Sequence, residues 1–118
     1  MEGARIGVYG LGTMGAALAL NIAEHGFRTA IGNRSPARIH DLVERAGPLA
    51  DRLVPAESPA DLVAALARPR TILLMVPAGA AVQAAIATLA PLLAEGDTLI
   101  DAGNADFRDT RATEARLR

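Results

Sequence analysis

Short apolar runs alternate with longer stretches of helical spacing along the 118 residues, the pattern of βαβ units that build a parallel sheet. Arg5 to Tyr9 predicts a first strand. A Gly-rich turn follows, and Met14 to Glu24 reads as a helix with Leu18 and Ile22 four apart on one face. Gly26, after His25, is its expected C-cap. Arg28 to Gly32 predicts the second strand. Ser35-Pro36 supplies an N-cap and a first-turn proline for a helix through Ile39, Leu42 and Val43 to about Arg45, which Gly47-Pro48 stops. Asp51 to Val54 predicts a third strand, the weakest of the set. Ser58-Pro59-Ala60-Asp61 repeats the cap and proline ahead of Leu62, Val63 and Leu66, and Pro69 ends that helix. Thr71 to Val76 is an unbroken apolar run, as expected of a central strand covered on both faces. Val82, Ile86, Leu89 and Leu93 space a further helix that Gly96 stops, Thr98 to Ile100 predicts a fifth strand, and Asp109 to Leu117 begins a last helix.

Composition narrows what such a sheet can do. An apolar fraction of 51% excludes a disordered chain, and the length suits one domain. With no Cys there is no disulfide framework, thiolate zinc site or cysteine nucleophile. All 12 basic residues are Arg, so lysine chemistry is excluded as well. A net charge of -1 with 3% aromatics offers neither the field nor the stacking platform of a nucleic-acid binder, so nucleic acid is not an expected partner. The apolar stretch Thr71 to Leu93 is broken by Pro77, Gly79, Gln83 and Pro91, and the start MEGARIGVYG has no basic-then-apolar leader. No membrane partner is expected, and a cytoplasmic location is the default expectation.

Gly10-Leu11-Gly12-Thr13-Met14-Gly15 is a GxGxxG between a predicted strand and a predicted helix, the context a dinucleotide-binding turn requires. Gly10 permits the tight turn, Gly12 lets the backbone approach a pyrophosphate, and Gly15 lets helix and strand pack closely, with helix N–H groups facing the anion. The same spacing also occurs in strand-to-helix turns that bind nothing. The five-strand alternation around it favours the first reading, a Rossmann-type α/β domain with strand order 3-2-1-4-5 in three αβα layers.

Which nucleotide is expected depends on the end of the second strand. An Asp or Glu there would bind the ribose 2′-hydroxyl of NAD; this chain has Asn33, then Arg34 and Ser35. Arg34 offers a fork of donors to a 2′-phosphate and a flat face to adenine, so NADP is expected over NAD. Ser35 adds a hydroxyl compatible with its capping role, and Arg38 reads as a surface helix position. Val76-Pro77-Ala78-Gly79 leads from the fourth strand into a helix at the carboxyl edge, where its backbone should line the cofactor cleft. Asn104, just past the fifth strand and Asp101, can donate and accept at a ribose or a substrate hydroxyl, or be a turn residue. His25 and His40 read as structural or solvent-facing, and no metal-ligand cluster is found.

Four blocks in order, IGVYGLGTMG with LALNIAEHGF, NRS, PRTILLMVPAG and GDTLIDAGNADFRDT, make the chain resemble the NADP-binding amino-terminal domain of the 6-phosphogluconate dehydrogenases. The resemblance covers 1–118. It implies that Gly10, Leu11, Gly12, Thr13, Met14 and Gly15 hold the pyrophosphate and that Asn33, Arg34 and Ser35 hold the 2′-phosphate. It further implies that Val76, Pro77 and Ala78 line the nicotinamide side, and that Asn104 touches both the nicotinamide ribose and the substrate. Pro77 stands where the NADP enzymes carry Lys, as in an NAD-preferring branch; Ala102 and Ala105 also depart from the family pattern.

The family oxidatively decarboxylates 6-phosphogluconate to ribulose 5-phosphate in the pentose phosphate pathway, reducing NADP. Its general-base Lys and general-acid Glu belong to a C-terminal helical domain beyond these residues. The chain alone is therefore expected to bind NADP without turnover, meeting 6-phosphogluconate only with that other domain. The β-hydroxyacid dehydrogenases share GLGTMG and an early NR, but the Asp101-Ala102-Gly103-Asn104 block fits the phosphogluconate group better. A stand-alone, non-catalytic nucleotide-binding module is the third reading. Thr98 to Asp101, as a sheet edge, is expected to favour a homodimer.

Overall fold

In the computed structural model, which describes residues 3–76 and 79–101, the strands are β1 (Ile6–Tyr9), β2 (Thr29–Gly32), β3 (Leu53–Ala56), β4 (Thr71–Leu74) and β5 (Thr98–Asp101). Between them lie α1 (Thr13–Glu24), α2 (Pro36–Ala46), α3 (Pro59–Ala64) and α4 (Ala80–Leu89). All four strand pairings are parallel and the order is β3-β2-β1-β4-β5. That is the order the alternation predicts, with crossover helices on both faces of the sheet.

Side-chain alternation along the strands divides the core in two. In β2, Ala30 belongs to the cluster that contains Leu62 and Val63 of α3 and Val82, Ile86 and Leu89 of α4. Its neighbour Ile31 belongs to the opposite cluster, with Ala16, Ala19 and Ala23 of α1 and Ile39 and Leu42 of α2. Period-two strands between two helix layers produce this division. Burial of a side chain such as Ile31, Ile39, Leu62 or Leu74, each inaccessible to solvent, contributes about 2 kcal/mol.

Several elements depart from the sequence reading for identifiable reasons. The buried face of α1 is Gly15, Ala16, Ala19 and Ala23, while Leu18 and Ile22 are half-buried at its flanks. The small residues let the helix lie close to the sheet. The third strand begins two residues later than expected, because Gly47–Arg52 forms a 3-10 turn. Pro55 in β3 lacks an N–H to donate, which an edge strand tolerates. The helix expected to reach Leu93 ends as α4 at Leu89, with a short 3-10 turn over Ala90–Leu92 where Pro91 removes a donor. β4 is not covered equally on its two faces: Ile72 and Leu74 are buried, Thr71 and Leu73 half-buried. The Met75 N–H continues its ladder to the Tyr9 carbonyl at 2.8 Å. The last predicted helix, Asp109 to Leu117, lies outside the described residues.

At the amino ends of β4 and β5, buried Asp97 accepts from the Arg70 N–H (2.7 Å), the Ala94 N–H (2.8 Å) and the Arg70 guanidinium (3.1 Å). Burial opposes the charged form, but the two backbone N–H donors and the guanidinium outweigh it and hold the carboxyl below the usual aspartate range.

Candidate functional site

The fingerprint turn joins the carboxyl end of β1 to the first turn of α1, and its three glycines meet different surroundings. Gly10 has φ +104, and a Cβ there would lie 2.5 Å from the Met75 carbonyl oxygen. A Cβ on Gly15 would collide with the Gly10 carbonyl. These two positions are closed to any side chain, which presses α1 against the turn. Gly12 is the opposite case. It is the N-cap of α1, extended at φ -68, and a Cβ built on it would meet nothing within 4 Å. No side chain caps this helix end, and no acidic residue stands in its first turn. The start of α1 thus presents backbone N–H groups to open space bounded by exposed Thr13 and Met14, a geometry suited to an anion.

A hydrogen bond joins this turn to the second sequence block. The Leu11 N–H donates to the Asn33 side-chain carbonyl at 2.7 Å, and the Asn33 amide donates to the Ser35 carbonyl at 3.2 Å. Asn33 therefore fixes the fingerprint turn relative to the end of β2. Ser35 occupies the N-cap position of α2 in extended conformation, but its hydroxyl makes no cap bond, whereas the cap expected at Ser58 forms, its hydroxyl accepting from the Asp61 N–H at 3.1 Å. Arg34 is exposed and makes no ion pair with another described residue.

A cleft of about 520 Å³ opens beside these residues, lined by Tyr9, Asn33, Arg34, Glu57, Pro59 and Val76 and by Ala81, Ala84, Ala85 and Thr88 of α4. The sheet's carboxyl edge is where ligands lie in open α/β folds. The structure brings Asn33, Arg34 and Val76 together there, with the fingerprint turn tied to Asn33. Pro77, Ala78 and Asn104 lie outside the described residues. Arg38 is exposed on α2, as expected, and His25 caps the end of α1, its Nδ1 2.8 Å from the Asn21 carbonyl.

The sequence reading missed Tyr9, Thr88 and Glu57. Glu57 follows Ala56 at the end of β3 as Asn33 follows Gly32 at the end of β2, and Gly32 and Ala56 are register partners. Placing β3 two residues early hid this equivalence. His40, expected to face solvent, does so but also lies 2.9 Å from the Glu57 carboxylate. Among the described residues no group of three or more His, Cys, Asp or Glu could hold a metal, and no helix is long and apolar enough to cross a membrane.

A second, smaller groove of about 340 Å³ lies at the opposite edge, between Arg5, Ile6, Asn21, Ile22, His25 and Phe27. The Arg5 guanidinium sits 5.7 Å from the Phe27 ring centroid there. It faces the amino ends of the strands and the carboxyl end of α1, whose dipole disfavours an anion.

Comparison with known proteins agrees with the geometry. The family model of the NAD binding domain of 6-phosphogluconate dehydrogenase matches residues 5–118. The chain is 44% identical over 119 residues to the chloroplastic decarboxylating 6-phosphogluconate dehydrogenase 2 of Oryza sativa subsp. japonica, covering 97% of this chain and 23% of the rice protein. It is 48% identical over 109 residues to the decarboxylating 6-phosphogluconate dehydrogenase of Treponema pallidum, covering 92% of this chain and 22% of that protein. The 6-phosphogluconate dehydrogenase of Plasmodium falciparum, solved in apo form, with NADP+ and with 6-phosphogluconate, aligns at a TM-score of 0.80 and 30% identity over 92% of this chain and 23% of that one. The chain thus spans under a quarter of the length of these relatives.

Proposed function

The chain belongs to the family of the NAD binding domain of 6-phosphogluconate dehydrogenase, and from that premise we propose that it holds the nicotinamide cofactor of such an enzyme and prefers NADP to NAD. The observation that carries the preference is the end of β2. There a neutral Asn33 is spent on the Leu11 N–H, and Arg34, without an ion-pair partner among the described residues, lines the cleft. A carboxylate in place of Asn33 would suit a ribose hydroxyl and repel a phosphate.

The residues fit the group. Open space over Gly12 and the uncapped start of α1 suit the pyrophosphate, while Arg34 with Ser35 suits the 2′-phosphate. Val76, with Pro77 and Ala78, belongs to the nicotinamide side, and Asn104 to its ribose and to the substrate. Bound there, NADP supplies a hydride acceptor; this chain binds and orients it. Oxidative decarboxylation of 6-phosphogluconate is the reaction proposed for the whole enzyme, its base and acid lying outside these residues, and the chain alone gives no turnover.

Calorimetric titration with NADPH and NADH checks the assignment. The chain should bind NADPH more tightly than NADH, and Arg34→Ala should weaken NADPH about 10- to 150-fold while leaving NADH nearly unchanged. An equal loss for both cofactors would remove Arg34 from the 2′-phosphate site.

A further inference from the structure

We propose that His40 is a positioning residue for this cofactor preference: it holds the Glu57 carboxylate away from the Arg34 guanidinium and so keeps the guanidinium available to a phosphorylated adenosine ribose. The inference rests on the reading of the cleft as an NADP site. Because β2 and β3 are parallel with Gly32 beside Ala56, the next residues, Asn33 and Glu57, emerge side by side at the carboxyl edge. Arg34 and Glu57 line the same cleft. A carboxylate in the same cleft as a guanidinium is able to pair with it, and a guanidinium so occupied is a poor phosphate ligand.

The observed pairing is different. Glu57 Oε2 lies 2.9 Å from His40 Nε2, and no ion pair joins Glu57 to Arg34. His40 reaches Glu57 because α2 is fixed by its buried Ile39 and Leu42, which leaves the intervening exposed position beside the end of β3. Both partners are more than half exposed, so the contact is weak in stability and its consequence lies in which donor Glu57 engages. A carboxylate that binds a ribose hydroxyl stands at the end of β2 in this fold, not β3; Glu57 is therefore a competitor for Arg34 and not itself a cofactor ligand.

Dissociation constants for NADPH and NADH, measured by fluorescence on the intact chain and on His40→Ala, His40→Gln, Glu57→Ala and the His40→Ala/Glu57→Ala double variant, test this. His40→Ala should weaken NADPH about two- to fivefold, within what an exposed competing contact can produce, and change NADH less than about twofold. The double variant should recover the original NADPH affinity, since no carboxylate is left to compete. His40→Gln, which can still donate to Glu57, should stay close to the unsubstituted chain. An unchanged NADPH-to-NADH ratio in His40→Ala, or a double variant no better than it, overturns the proposal while leaving the cofactor site intact. Selective loss of NADH binding in Glu57→Ala overturns it by making Glu57 a ribose ligand. If the unsubstituted chain binds neither cofactor, the reading of the cleft fails, and this proposal with it.

Discussion

Gly12 and Gly15 stand three residues apart in one turn, yet only Gly15 is closed to a side chain by the fold itself. At Gly15 the obstacle is internal, because a Cβ would strike the Gly10 carbonyl. Gly15→Ala should therefore lower the unfolding free energy by about 2 kcal/mol or more as α1 is pushed off the turn, readable from the urea midpoint. At Gly12 nothing internal is in the way, and the backbone is extended. Gly12→Ala should change stability by less than about 1 kcal/mol but weaken NADPH measurably, since the methyl group enters the space proposed for the pyrophosphate. Equal stability losses at the two positions would show that the room over Gly12 serves folding and not a ligand. The GxGxxG spacing suggests both roles; which glycine is packed against backbone and which faces open space is set by the fold. Glu57 and His40 were not legible in the same way, because their meeting depends on the register of β2 with β3.

At the level of elements, turn chemistry and hydrophobic spacing located every strand and helix among the described residues. Their ends were less legible, and one buried face was misread. The 3-10 turn over Gly47–Arg52 delays the start of β3, and Pro91 breaks the α4 ladder despite continued apolar spacing. The face of α1 was misread because Leu18 and Ile22 carry the larger side chains, whereas close approach to the sheet selects Gly15, Ala16, Ala19 and Ala23. The clamp at the amino ends of β4 and β5 was not legible either, because Arg70 and Asp97 are 27 residues apart and meet only once the two strands pair. Asp97→Ala should cost about 2–4 kcal/mol in urea unfolding, since it leaves two backbone donors and a mostly buried guanidinium without their acceptor. The pH dependence has a definite sign. The folded carboxyl titrates below its ordinary value of 3.8, so the stabilisation is present above that value and fades as pH falls through it toward the folded value. The Ala variant should lose this acid-limb component of the stability curve.

At the scale of the molecule, the two edges of the sheet face different chemistry. At the carboxyl edge Asn33 and Arg34 line the larger cleft, and Asn33 ties to it the turn that opens the uncapped start of α1. The amino edge carries a smaller groove with a cation over an aromatic ring. The order of the strands was legible from the βαβ alternation, and it fixes which edge takes the ligand. The shape of the cleft was not, since it depends on how α4 lies beside Val76 and Glu57. The chain spans 22% and 23% of two relatives that are 6-phosphogluconate dehydrogenases, so the site is best tested as a binding site. Adding NADPH to the 15N-labelled chain and mapping amide shifts does so most directly. The expected shifts cluster at Gly10, Leu11, Gly12 and Thr13 and at Asn33, Arg34 and Ser35, and leave Asn21, Ile22 and Phe27 unmoved. Shifts confined to the Arg5–Phe27 groove, or none at saturating NADPH, would contradict a cofactor site at the carboxyl edge.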